Sequence, residues 1–366
     1  MRQVECRVLY LELWHKAIGY REVVEIRKFE TKDMVKRLGT LPPIKVFINN
    51  HPIANPVAIF NPSFIVKSGD IAEIYARIIV GYYLYVSAIT RMEVPLSDIL
   101  EGTISINYYS SELAVYPSTR YDIWGCEDPR VYALNGKIYM TYAGRNVNYF
   151  QKPAAPESVL PITATPENNH RYWSKQYVHV LKDEERKWVV HDKDAFMARL
   201  AGRLLLFHRP RLVTNTYHLA VSEVVLPSKC ESTPCKAVSE NTIEVMPPAS
   251  FESKLGWAVP ITISSSRAVL LVHGVDRDIG AYRVLGVELT YAGDGVVVNA
   301  VTPFYIMEPR TPYELYGDRP FTVFPAGAQI VDGNVVISYG AADYMIGFGL
   351  VDFSELMSAL DRGRLY

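Results

Sequence analysis

One unit recurs five times along this chain and limits what it can fold into. Each copy is an apolar run, a tight turn, a second apolar run and a polar residue at its end. The copies are "NPSFIVKSGDIAEIYARI", "EDPRVYALNGKIYMTYAGR", "KDAFMARLAGRLLLFHRP", "VPITISSSRAVLLVHGV" and "FPAGAQIVDGNVVISYGAAD". The turns carry hairpin chemistry at Ser68-Gly69-Asp70, Asn135-Gly136, Ala201-Gly202, Ser264-Ser265-Ser266 and Asp332-Gly333. The flanking runs are β-branched or aromatic and too short for helices. The second runs end at Arg77, Arg145, Arg209, His273 and Asp343, separated by 68, 64, 64 and 70 residues. Spacing this even predicts five similar units set around one axis, an all-β chain folded as a five-bladed β-propeller. Equivalent strand ends then meet at one mouth of the central channel, and five polar residues from distant sequence share a pocket. A β-sandwich, whose hairpins also recur regularly, is the alternative.

Two segments stand outside the repeat. Residues 1–55 read as an N-terminal extension of strand-like runs with a short helical patch, "TKDMVKRL"; residues 56–366 then form the catalytic propeller. The C-terminal "DFSELMSALDRGR" predicts a helix. Asp352 caps it, Glu355 completes a capping box, and Phe353, Leu356, Met357 and Leu360 make one apolar face. Both segments are expected on the outside of the ring. Between Val147 and Tyr172 a Pro-rich insertion, "VNYFQKPAAPESVLPITATPENNHRY", is long for a structureless loop and suggests a lid or a partner contact.

Composition excludes several classes. A net charge of −1 leaves no electrostatic footprint for nucleic acid or an anionic membrane. The most apolar stretch, "YARIIVGYYLYVSAI", is too short to span a bilayer and reads as buried strands. The first twenty residues lack an apolar signal-peptide region, so a soluble cytoplasmic protein is the default expectation. The cysteines are Cys6, Cys126, Cys230 and Cys235; "CESTPC" reads as a local disulfide or half a metal site. No second Cys/His pair has zinc spacing, so free or locally bridged surface thiols are expected and no metal. A disulfide in the cytosol would point to a hyperthermophile.

The polar residues at strand ends and unit starts add Asn61, Glu127, Asp128, Arg130, Lys193, Asp194, His208, Arg211, Lys254 and Tyr282 to the five above. Cations dominate the later units: Lys193, His208, Arg209, Lys254 and His273. Such a cluster beside one or two carboxylates suits an anionic co-substrate, most simply phosphate. Inverting glycoside cleavage ordinarily needs an acid for the leaving oxygen and a base to activate water. Phosphate, already an anion, needs cations to hold it instead of a base. One acid in a basic pocket is therefore the pattern of an inverting glycoside phosphorylase, and Asp128 in "GCEDPR" is the candidate acid. Pro129 is expected to hold Asp128 extended. Repulsion between Glu127 and Asp128 is expected to raise one of their pKa values, unless Arg130 pairs with Glu127.

The motifs "GCEDPR", "KDAFMARLAGRLLLFHRP", "ESKLGWAVPI", "LVHGV" followed by "YRV", and "VFPAGAQIVDGNVVISYGAAD" occur in this order. From Asn61 to Asp343 the chain resembles glycoside hydrolase family 130, the β-mannoside phosphorylases and related mannosidases. The resemblance implies a five-bladed fold. It implies that Asp128 is the general acid, passing its proton through the mannose 3-hydroxyl to the glycosidic oxygen. It assigns phosphate to Arg209, Lys254 and His273, with Lys193 nearest to a further arginine of the family's phosphate site. It assigns the mannose ring to Asn61, Arg77 and Asp343. Glu127, Arg145, His208 and Tyr282 complete the expected sugar-binding set. Cys126 stands where the family carries an aliphatic residue. The first 55 residues, the Pro-rich insertion and residues 213–249 have no recognised counterpart; acceptor specificity and any homo-oligomer contacts are expected there.

The expectation is thus an inverting glycoside phosphorylase. It takes a β-mannoside and inorganic phosphate to α-mannose 1-phosphate and an acceptor sugar, with no cofactor beyond phosphate as co-substrate. A β-mannoside hydrolase on the same fold, needing a base and no phosphate site, is the near alternative. A non-catalytic sugar-binding propeller shares the pocket but does not need Asp128 as an acid.

Overall fold

The computed structural model describes residues 13–67, 70–81, 84–151, 156–230, 232–293 and 295–366. Cys6 and the Ser68-Gly69 turn lie outside the described residues. The chain is mostly β, and its strands pair into five antiparallel meanders. Unit one is Ala58–Lys67, Ile71–Ile79, Ser87–Pro95 and Tyr109–Val115. Unit two is Gly125–Leu134, Lys137–Arg145, Val159–Glu167 and Tyr172–Leu181. Unit three is Val189–Leu200, Arg203–Leu212, Leu219–Val225 and Cys235–Met246. Unit four is Glu252–Ile263, Arg267–Asp276, Tyr282–Ala292 and Gly295–Val301. Unit five is Val323–Val331, Asn334–Ala341 and Met345–Asp352, with Lys36–Leu41 as its fourth strand.

The first strand of each unit packs beside the first strand of the next, and that of unit five packs back on unit one. Four of the expected hairpins fall in place. The two-residue loops Asn135-Gly136, Ala201-Gly202 and Asp332-Gly333 have positive φ at both positions. That is the turn whose twist matches paired strands, and it explains Asn or Asp followed by Gly at two of the three sites.

Apolar side chains fill the seams between neighbouring units. Phe64 meets Phe348 between units one and five. Tyr75, Tyr142 and Ile162 fill the seam of units one and two. Phe207 stacks on Phe196 at 4.9 Å and meets Trp257 edge-on at 5.2 Å, tying unit three to unit four. Both faces of each sheet are covered, which is why the first two strands read as nearly continuous apolar runs.

Three expectations change. "TKDMVKRL" is not helical: Lys36–Leu41 pairs along the open edge of Met345–Asp352, and the helix of this region is Glu22–Ile26. Sheet pairing outweighs the local propensity of Lys, Arg and Leu. The Pro-rich insertion is not one long loop, because Val159–Glu167 within it is the third strand of unit two. Cys126 is fully buried rather than a surface thiol, while Cys230 and Cys235 form the local disulfide. The C-terminal helix is Phe353–Asp361, with the Asp352 carboxylate accepting from the Glu355 amide at 2.9 Å and Leu356, Ala359 and Leu360 buried on units four and five. Among the described residues no helix is long and apolar enough to cross a membrane.

Candidate active site

The first strand of each unit carries a bulge near its start, where one residue interrupts the pairing register. In units one to three these fall between Phe60 and Ser63, Glu127 and Arg130, and Lys193 and Phe196. Inside them Asn61, Asp128 and Asp194 have φ of 48°, 54° and 55°. Asn and Asp tolerate this left-handed backbone better than other residues with a Cβ. Each bulge therefore re-aims a short polar side chain into one shared cavity. Asp128 is thus not extended, as the following proline suggested.

The three side chains border one cavity. Of the expected residues, Asn61, Arg77, Glu127, Asp128, Arg145, Lys193, Asp194, Arg209, Lys254, Tyr282 and Asp343 line it. His273 lies behind this wall, completely buried, with Nε2 3.4 Å from Asp194 Oδ2 and its ring 4.7 Å from that of Phe324. His208 is not brought to the cavity. Strand alternation turns it away from neighbouring Arg209, and its ring bonds Asp192 and Ser222, both at 2.7 Å.

One side of the cavity is built around Asp128. Its Oδ1 accepts from Asn61 Nδ2 at 2.7 Å and from an Arg77 guanidinium nitrogen at 3.1 Å. Oδ2 takes no hydrogen bond among the described residues. Glu127 accepts from Arg145 Nε at 2.7 Å and from Arg77 at 3.2 Å, and Lys193 Nζ lies 3.9 Å away. Burial pushes the Glu127 carboxyl up, but Arg77, Arg145 and Lys193 outweigh it and hold the group far below the usual range. Repulsion does not raise Glu127. Arg130 does not pair with it either; it donates to the carbonyls of Asp128, Trp257 and Ala258. The carboxyl that rises is Asp343, pushed by burial to about 6 against the pull of Arg319 and Arg77.

The other side is cationic. Arg209 Nε lies 3.0 Å from Asp194 Oδ2. Burial raises Asp194, yet Arg209 and His273 overcome it and keep it ionised. Lys254 Nζ rests 5.1 Å from the Tyr217 ring centre and 5.5 Å from that of Tyr282. Arg319 lies over the same Tyr282 ring at 4.7 Å. Tyr282 thus packs against two cations of this wall. Burial, and then Arg209, Arg319 and Lys193, push the Lys254 ammonium well below its ordinary value. Six cations (Arg77, Arg145, Lys193, Arg209, Lys254 and Arg319) face four carboxylates (Glu127, Asp128, Asp194 and Asp343). The surplus is what an anionic ligand neutralises.

Gly256 of "SKLGW" makes the cluster fit, since a Cβ there would collide with His273 Nε2 and Asp194 Oδ2. Tyr149, His191, Tyr217, Arg319, Thr322 and Phe324 also line the cavity and carried no sequence signal. Asp194 had one. Asn61, Asp128 and Asp194 recur at intervals of 67 and 66 residues, each one position before Pro62, Pro129 or Ala195.

A family model described as beta-1,4-mannooligosaccharide phosphorylase matches residues 25–362. A 1,2-beta-oligomannan phosphorylase from a Thermoanaerobacter species is 28% identical over 329 residues, 88% of this chain and 98% of the relative. A beta-1,2-mannobiose phosphorylase from the same source is 27% identical over 231 residues, 63% of this chain and 68% of the relative. Among solved structures, the beta-1,2-mannobiose phosphorylase of Listeria innocua shares the fold, with a TM-score of 0.66 at 16% identity over 90% of this chain and 97% of that one.

Proposed function

We propose, for a chain that belongs to glycoside hydrolase family 130, the inverting phosphorolysis of a β-mannoside to α-mannose 1-phosphate and a free acceptor sugar. The closed series of five meanders supports reading the fold as a five-bladed β-propeller with the cavity at one mouth of its channel. The observation that carries the function is the cationic wall. Lys254 and Arg319 have no carboxylate within ion-pair distance among the described residues, and the Lys254 ammonium is already destabilised by its neighbours. Phosphate relieves that strain.

In this reading Asn61, Arg77 and Asp343 hold the mannose. Lys193, Arg209 and Lys254, backed by His273 through Asp194, hold phosphate beneath the anomeric carbon. A phosphate oxygen bonds to that carbon as the bond to the glycosidic oxygen breaks. Asp128 in its acid form supplies the proton that the leaving oxygen takes. The proton of the hydrogen phosphate returns to Asp128, so the cycle balances. A hydrolase needs a free carboxylate base, and Glu127 and Asp194 are each held against arginines.

The test is sugar release from β-1,2- and β-1,4-linked mannooligosaccharides with and without phosphate. Release that requires phosphate and yields mannose 1-phosphate is expected, and Asp128→Asn should lower kcat by about 10²- to 10⁴-fold. Equal release of free mannose in both conditions would make the enzyme a hydrolase and overturn the reading.

A further inference from the structure

The cavity wall between units two and three holds a group that phosphorolysis leaves unused. His191 lies two residues before Lys193 on the first strand of unit three. Residues two apart share a strand face and stand about 7 Å apart along it. His191 is therefore displaced from Lys193 toward the start of the strand, where it bridges to Val159 of unit two. It is only 7% exposed, it lines the cavity, and its ring takes no hydrogen bond from the described residues, with Nδ1 wholly enclosed. A buried imidazole without a partner is costly and calls for a ligand.

The ligand's chemistry follows from the surroundings. Burial, together with Lys193, Arg209, Arg211 and Arg145, holds the ring down to about 2, so it is neutral at working pH. A neutral imidazole, with one donor and one acceptor, matches a hydroxyl. Phosphate already has its cations in Lys193, Arg209 and Lys254. The ring also meets Tyr217 at 5.9 Å, and Tyr149 faces the same cavity from unit two. Aromatic faces beside a hydroxyl-binding group suit a sugar ring.

We propose that His191 binds the sugar on the leaving-group side of the scissile bond, hydrogen-bonding one of its hydroxyls, with Tyr149 and Tyr217 flanking it. This rests on the β-mannoside reading but not on which nucleophile is used. The experiment compares a β-linked mannobiose with an aryl β-mannoside, whose leaving group carries no sugar hydroxyls, for the wild type, His191→Ala and His191→Gln. In His191→Ala the ratio of kcat/KM for mannobiose to kcat/KM for the aryl substrate should fall about tenfold, the worth of one hydrogen bond. His191→Gln, which keeps a donor and an acceptor, should recover part of that loss, and KM for phosphate should stay put. Equal losses on both substrates, or a shift confined to KM for phosphate, would overturn the assignment. A wild type that hydrolyses without phosphate sinks the phosphorylase reading alone, because the ratio still reports on His191. A wild type that cleaves neither substrate sinks both.

Discussion

Asp343 is a cavity carboxyl that gains a proton near neutral pH. Burial lifts it to about 6, against an ordinary value of about 4. Two consequences follow with opposite signs. Between those values the folded state binds more protons than the unfolded state, so this group's contribution to stability falls as pH rises from about 4 through about 6. Asp343→Asn should therefore raise Tm at pH 7 to 8, relative to the native enzyme. If the carboxylate accepts mannose hydroxyls, KM for the mannoside should climb as pH drops below about 6. In Asp343→Asn that acid limb should vanish, leaving a uniformly high KM. A thermal melt and a KM–pH profile check the two halves. A pH-independent KM in the native enzyme would remove Asp343 from the sugar site. The adjacency of Glu127 and Asp128 does not raise Glu127, because the charges that matter to it arrive from Arg77, Arg145 and Lys193. Only Arg145 comes from the same meander.

Among elements, the first-strand bulge does most to build the site. It ends regular pairing and turns Asn61, Asp128 and Asp194 inward, and it leaves no room for error on the facing strand. Gly256 occupies the corresponding stretch of unit four, where His273 and Asp194 approach the backbone. Gly256→Ala should push His273 and Asp194 away from Arg209. Steady-state kinetics should then show KM for phosphate rising by about tenfold or more, with KM for the mannoside much less affected. An equal rise in both constants would mean that the cluster is not the phosphate seat. The hairpin turns were legible because their chemistry is local: Asn135-Gly136 and Asp332-Gly333 encode φ > 0 at two adjacent positions. The bulges were not read, although Asn-Pro, Asp-Pro and Asp-Ala recur on the same interval. The strand Val159–Glu167 within the Pro-rich run was not legible, because Pro161 and Pro166 offer no amide donor and its pairing depends on a neighbouring strand.

The whole molecule depends on a closure that joins distant parts of the chain. Lys36–Leu41 supplies the last strand of unit five, and Arg37 secures it. The guanidinium bonds Glu314 and Asp33, each at 2.8 Å, with Arg37 8% and Glu314 0% exposed at the side chain. Burial alone would lift the Glu314 carboxyl, but Arg37 more than offsets this and holds it below the usual range. Arg37→Ala leaves a buried carboxylate unpaired and should cost about 3–5 kcal/mol, measured by urea unfolding at pH 7. Glu314's contribution is present above the ordinary carboxylate value and is lost as pH falls through its lower folded value. The penalty of Arg37→Ala should therefore shrink in acid; a penalty independent of pH would assign Arg37's effect to packing. By itself the sequence determined the five hairpin units, four of their turns, the apolar face of the C-terminal helix and eleven residues that line the cavity. Alternation, turn propensity and motif order are written within a few residues of each position. Only the tertiary structure decided that Lys36–Leu41 is a strand, that His208 faces away while His191 faces in, and that Asp343 rather than Glu127 carries the raised pKa. Those outcomes depend on burial and on charges summed through space, and no local stretch of sequence contains that sum.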